Sequence, residues 1–331
     1  MFGSVLLTAA VLETAARVAV SIKYGNHNQG FWNEFTYATF INTRTNTRFL
    51  QTYAPKQDQF RILILGGSVA DSMGGSDSTN RWGIPLATYS KKFAPFTKSR
   101  IEVINFGQPG HITSQEVVMF ALYGVHVKPD LVLVIDGAND IVEITKGVPP
   151  GIPYTDQYVQ MAMNQPFLNA LVEPLRHSQF VNVLIKLQER RVERTFQSDS
   201  KAFEGMITEY LRNRAAMAAL AEGIGARLVT VLQPYIHLRQ TLTANEKTLP
   251  FMSNYAYRDE FMKLALRRLR SELAQQGLGN NAIWIDGTTA FDQANEDCFI
   301  DEVHLTRRGN ELLLQHITDA LSRTKLNDPK R

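Results

Sequence analysis

The run Ile62-Leu-Ile-Leu65 stops abruptly at Gly66-Gly67-Ser68. Four apolar residues are too few for a helix and too uniformly apolar for a strand with one wet face. Such a run reads as a strand covered on both sides, the form a parallel sheet takes when helices flank it. The two glycines allow a tight turn at the strand's carboxyl end, which is where α/β folds place their chemistry. Ser68 is thereby expected at the mouth of the fold.

The same form recurs. Ile101 to Gly107 ends in glycine, Pro129 to Asp136 runs into Gly137-Ala138-Asn139-Asp140, Ala226 to Leu232 meets Gln233-Pro234, and Ala282 to Asp286 ends at Gly287. Between these runs lie segments of helical length. Ser114–Val127 follows a Thr/Ser cap signal, Phe203–Gly223 closes at a glycine, and Tyr255–Gln276 sets Phe261, Leu264, Ala265, Leu269 and Leu273 at helical spacing. The cluster Arg267, Arg268 and Arg270 reads as that helix's solvated face. Strands alternating with helices predict an α/β protein built on a parallel sheet.

Four stretches are expected along the chain. Residues 1–23 are mostly apolar, with Glu13 and Arg17 four apart, close to the roughly 20 residues that span a bilayer. A membrane anchor, an amphipathic helix packed on the domain and a signal peptide all remain open for it. Residues 24–59 form a polar and aromatic connecting segment. The domain proper covers 60–322, with an insertion at about 147–200 that is too long for a plain connection and reads as a lid or substrate-binding element. Residues 323–331 are a polar tail.

Composition narrows the function classes. A net charge of +3 from 35 basic and 32 acidic side chains, with no long basic stripe, argues against nucleic acid as a partner. The single cysteine, Cys298, excludes an intrachain disulfide and a cysteine-rich metal site. It reads as a small buried hydrophobe.

A serine hydroxyl needs a base within hydrogen-bond reach, and imidazole oriented by a carboxylate is the usual one. Asp301 and His304 stand three apart in a loop leading to a helix that begins near Thr306, so both groups can arrive together. A metal would need a third ligand that the pattern does not supply, and no cofactor is expected. Donors for a developing oxyanion could come from Asn105-Phe-Gly107-Gln-Pro-Gly110 and from Asn139. Glycines as turn residues and Asn139 as a helix cap are the plain alternatives. His111 either touches substrate or is an ordinary loop histidine.

Gly66-Gly67-Ser68, Asn105 with Gly110, Gly137-Ala138-Asn139-Asp140 and Asp301-x-x-His304 occur in the order of the SGNH (GDSL-like) hydrolases, and the chain resembles that family over Arg61–Leu313. The resemblance implies a three-layer α/β/α sandwich around a flavodoxin-like five-stranded parallel sheet. It implies Ser68 as nucleophile, His304 as base and Asp301 as the carboxylate behind it. The Ser68 and Gly110 N–H groups and the Asn139 amide are implied as the oxyanion hole. Gly110 rather than Gly107 matches the family's spacing from Asn105. The amino-terminal helix resembles that of membrane-anchored bacterial members, which places the domain in the periplasm or outside the cell. One departure is plain, since the family's Gly-Asp-Ser is Gly-Gly-Ser here.

Three functions are open at this level. The first is a serine esterase acting on small acyl esters, with O-acetylated carbohydrate as the expected substrate. The second is a transferase passing the acyl group to a glycan hydroxyl. The third is a non-catalytic glycan-binding or assembly protein on a hydrolase fold, a reading that Gly67 and the long insertion favour.

Overall fold

The computed structural model describes residues 52–74, 101–145, 147–153, 201–249, 256–277 and 281–323, together with Thr14, Ser178 and Phe180. The expected amino-terminal helix apart from Thr14, most of the connecting segment, most of the 147–200 insertion and the tail after Arg323 lie outside the described residues. No helix among the described residues is long and apolar enough to cross a membrane.

Five strands form the centre: β1 (Phe60–Gly66), β2 (Ile101–Asn105), β3 (Leu131–Asp136), β4 (Arg227–Leu232) and β5 (Ala282–Asp286). Among the described residues, the α-helices that accompany them are α1 (Ser68–Ser72), α2 (Thr113–Leu122), α3 (Ala138–Thr145), α4 (Lys201–Gly223), α5 (Ala256–Gln276) and α6 (Arg307–Arg323). The sheet order is β2-β1-β3-β4-β5 and every pairing is parallel. This is the flavodoxin-like order, whose reversal between β1 and β3 opens a crevice at the strands' carboxyl ends.

Side-chain alternation sorts the layers. Ile62 and Ile64 of β1, with Leu131, Leu133 and Ile135 of β3, join Val69 of α1 and Leu313, Leu314 and Ile317 of α6 in one buried cluster. Leu63, Leu65, Val132 and Val134 point the other way, against Met119 and Phe120 of α2 and Met217 and Ala221 of α4. On that second face α3, α4 and α5 share Ile141, Tyr210, Met262, Leu266 and Leu269. Both faces of β1 and β3 are therefore dry, the physical reason their sequences are unbroken apolar runs. One expected core residue is out of place. Leu264 is 45% exposed, because the buried stripe of α5 runs through Phe261, Met262, Ala265, Leu266 and Leu269.

Behind the sheet, the end of the connecting segment is stitched down. Arg61, 2% exposed, donates to Ala54 O, Val127 O and Glu102, while Lys56 pairs with Asp130.

Candidate active site

Gly66 turns the chain out of β1 with φ +136°, and a Cβ there would stand 2.2 Å from Ile135 O. Only glycine fits. The turn delivers Ser68 to the first position of α1, where a backbone N–H has no carbonyl of its own helix to bond. Asn105, fully buried at the end of β2, holds this short helix from its far end, its amide donating to Ala70 O (2.8 Å) and Gly74 O (3.0 Å). Ser72 Oγ bonds Asn310 Oδ1 at 3.2 Å, tying α1 to α6.

The structure brings Ser68, His304 and Asp301 into one line. Ser68 Oγ lies 2.7 Å from His304 Nε2, and His304 Nδ1 lies 2.6 Å from Asp301 Oδ2. The carboxylate selects the tautomer: Nδ1–H donates to Asp301, which leaves Nε2 to accept the serine proton. Asp301 Oδ1 accepts the N–H groups of Val303 (2.9 Å) and His304 (2.7 Å), so the loop folds around its own carboxylate. Its base is closed by the Phe299–Leu305 bridge and by the Thr306 N–H bond to Cys298 O at 2.9 Å.

The electrostatics fit a proton relay. Burial pushes the Asp301 carboxyl up, but the hydrogen bond and charge of His304 and the two loop N–H groups outweigh it and hold it below the usual carboxylate range. Burial alone would lower the His304 imidazole, whereas the bond and charge of Asp301, joined by Glu302, carry it above its ordinary value.

The two loops expected to supply oxyanion donors meet beside this line. Gln108-Pro109-Gly110-His111 is a β-turn closed by the His111 N–H to Gln108 O bond (3.2 Å), with Gly110 at φ +79°. Pro followed by a left-handed glycine is the type II pattern, which explains glycine here on conformation alone. Gly110 is exposed, with nothing within 4 Å of where a Cβ would stand. Gly107 is different, packed so that a Cβ would lie 2.5 Å from Asp71 N. Asn139 opens α3 and donates one amide hydrogen to His111 O at 2.7 Å. A Cβ on Gly67 would come within 2.5 Å of Asn139 Nδ2, so the amide lies directly against the nucleophile turn.

His111 is 1% exposed, and burial pushes its ring down to about 3, so it is a neutral buried imidazole. Cys298 is fully buried and its thiol is pushed up to about 11, as a small hydrophobe requires. Among the described residues no group of three or more His, Cys, Asp or Glu is placed to hold a metal ion.

Two features escaped the sequence reading. A buried acidic cluster lies behind the Gln108–His111 turn and the start of α3. Asp140 accepts from the Thr113 hydroxyl (2.6 Å) and N–H, Arg214 pairs with Glu116 (3.0 Å) and Asp136, and Tyr210 donates to Asp136 (2.8 Å). Burial pushes Glu116 and Asp140 both up to about 7. The other feature is the Arg239–Glu246 ion pair, 1% exposed on each side, beneath the Asp301–His304 loop.

No family model matches the chain, and no curated protein matches it. Among solved structures it is similar to an acetylxylan esterase from Geobacillus stearothermophilus (14% identity, 79% of this chain and 94% of that one, TM-score 0.42). It is also similar to LAE5, an α/β hydrolase from the metagenome of Lake Arreo, Spain (14% identity, 80% and 95%, TM-score 0.44). A third is the acetyl xylan esterase AlAXEase (13% identity, 79% and 99%, TM-score 0.45). At such identity and overlap these likenesses carry no argument about chemistry, which has to come from the side chains.

Proposed function

We propose that this chain is a serine esterase that hydrolyses small acyl esters through an acyl-enzyme on Ser68. The observation that carries this is the unbroken chain Ser68 Oγ–His304 Nε2, 2.7 Å, and His304 Nδ1–Asp301 Oδ2, 2.6 Å. Ser68 Oγ attacks the ester carbonyl carbon while its proton passes to His304 Nε2. Asp301 stabilises the imidazolium so formed, keeping its own charge. The carbonyl electrons collect on oxygen, for which the Ser68 and Gly110 N–H groups and the second Asn139 amide hydrogen are the proposed donors. His304 then gives its proton to the departing alkoxide. Water enters, loses a proton to His304 and attacks the acyl carbon, and Ser68 recovers its proton as the acid leaves.

An acetyl ester on a carbohydrate is the substrate class supported by the sequence resemblance to the SGNH hydrolases. Anchoring by residues 2–22 is supported by the apolar sequence of that stretch, and a catalytic domain facing the periplasm or exterior is supported only by the resemblance to membrane-anchored members of the SGNH hydrolases. The departure at Gly67 has an account that leaves the triad untouched, since glycine there makes room for the Asn139 amide. Hydrolysis of a short-chain acyl nitrophenyl ester by purified protein and its Ser68→Ala variant tests the reading. The parent is expected to turn over, and the variant to fall by three orders of magnitude or more, about what loss of a triad member costs. Equal rates would end the proposal.

A further inference from the structure

The loop that presents Asp301 and His304 has no helix or strand of its own to hold it. Its amino side is instead gripped by a carboxylate from far away in the chain. Glu246 Oε1 accepts the N–H groups of Cys298 (2.8 Å) and Phe299 (3.2 Å), two consecutive backbone donors just ahead of Asp301. Arg239 Nη1 holds both oxygens of that carboxylate at 2.5 Å, and its Nη2 donates to Ala294 O (2.6 Å) and Glu296 O (3.0 Å). Glu246 Oε2 also takes the Thr243 N–H at 3.1 Å. Around the rim, Asn245 Nδ2 donates to Asp297 Oδ2 at 2.7 Å and Thr243 Oγ1 bonds Asp297 Oδ1. Closer to the catalytic residues, the Ile236 N–H donates to Glu302 O at 3.1 Å.

We infer that the buried Arg239–Glu246 pair is a positioning element, by which the segment after β4 sets the place of the loop carrying the catalytic base. Stability alone is a poor reason for such a pair, because apolar residues of similar volume commonly stabilise a core as well or better. A carboxylate does what they cannot: it offers an acceptor to two adjacent N–H groups and is itself held by a charge-assisted bond from Arg239 Nη1. The loop's carboxyl side is fixed separately, by Thr306 Oγ1 on Asp297 O (2.8 Å) and by Gly309, where a Cβ would stand 2.1 Å from Cys298 O. Held at both ends, the Asp301–His304 contact keeps the spacing that proton transfer needs, and a displacement of about 1 Å can cost on the order of a hundredfold in rate.

This inference rests on the esterase reading, and its test separates the two. The rate at which a fluorophosphonate labels Ser68 is measured from pH 5 to 9 in the parent, Glu246→Ala and Glu246→Gln, with folding checked by circular dichroism. The charged groups facing His304 are Asp301 and Glu302. Loosening the loop weakens the Asp301 contact, so the Ala variant should label roughly ten- to a hundredfold more slowly. Its labelling midpoint should also move to lower pH. Glutamine keeps one acceptor and should restore part of both. A folded Ala variant with the parent's rate and midpoint overturns the inference. If only the Gln variant folds, a midpoint identical to the parent's overturns it, and a smaller downward shift supports it. An unlabelled parent removes the esterase reading and this inference with it, whereas a labelled parent with unchanged variants removes this inference alone.

Discussion

The amide of Asn139 rests against the α-carbon of Gly67, so that a Cβ at position 67 would lie 2.5 Å from Asn139 Nδ2 and 3.6 Å from His111 O. The start of α3 and the turn that carries Ser68 are in contact across the β1–β3 crevice, and the absence of a side chain at 67 is the condition for it. The aspartate of the related Gly-Asp-Ser pattern would not fit this arrangement without moving the amide.

Replacing Gly67 by alanine is therefore expected to push the Asn139 amide away from the site. Loss of one oxyanion donor typically costs about 10²–10³ in kcat. Partial displacement should give a loss of roughly tenfold or more, with KM little changed. Steady-state kinetics on an acyl ester check this, and an unchanged kcat would mean that Asn139 does not serve the transition state.

The pH profile carries its own sign. His304 must be neutral to accept the Ser68 proton, and Asp301 holds it above the ordinary value of 6.5. Activity should thus rise with pH through a midpoint above 6.5 and level off beyond it. In Asp301→Asn the midpoint should move down and kcat should fall on the order of 10³–10⁴-fold, because the asparagine no longer selects the productive tautomer. The kcat/KM profile of both proteins checks this.

A stability prediction comes from the acidic cluster. Asp140 and Glu116 ionise near 3.8 and 4.5 in an unfolded chain, but burial holds their protons to about 7 in the fold. Between those values the folded state binds more protons, so the contribution is full below about pH 4 and is lost as pH rises to about 7. Asp140→Asn removes one such group. Its stability should fall less than the parent's between pH 4 and 7, the difference being on the order of 1–3 kcal/mol. Urea unfolding at pH 4.5 and 7.5 reads it, and parallel slopes for the two proteins would contradict it.

How far the sequence could be read depended on where partners lie. Strands β1 and β3 are buried on both faces, so their runs Ile62–Leu65 and Leu131–Ile135 announce themselves without knowledge of the rest of the fold. Asp301 and His304 are three apart and act within one loop, so their pairing is also local. From the sequence Asn105 is only the marker of a candidate donor loop, but its amide bonds Ala70 O and Gly74 O at the far end of α1, a contact no spacing reveals. Nothing in the sequence around Arg214 marks it, and Glu116 from α2 and Asp136 from β3 let it be fully buried. Arg239 and Glu246 lie seven apart, Glu246 in a 3-10 turn too short to show a buried period, and the backbone groups that bury them, on Ala294, Glu296, Cys298 and Phe299, come from much later in the chain. In each case the missing information is a partner distant in sequence.

In the proposed mechanism Ser68 carries the acyl group between two half-reactions. Rapid acid quenching of the protein during turnover of an acetyl ester, followed by peptide mass spectrometry, tests it directly. The expected result is one acetyl group on the peptide containing Ser68, and none on that peptide in Ser68→Ala or His304→Ala. Turnover by the parent with no acetyl on Ser68, or with the acetyl on another side chain, would contradict it.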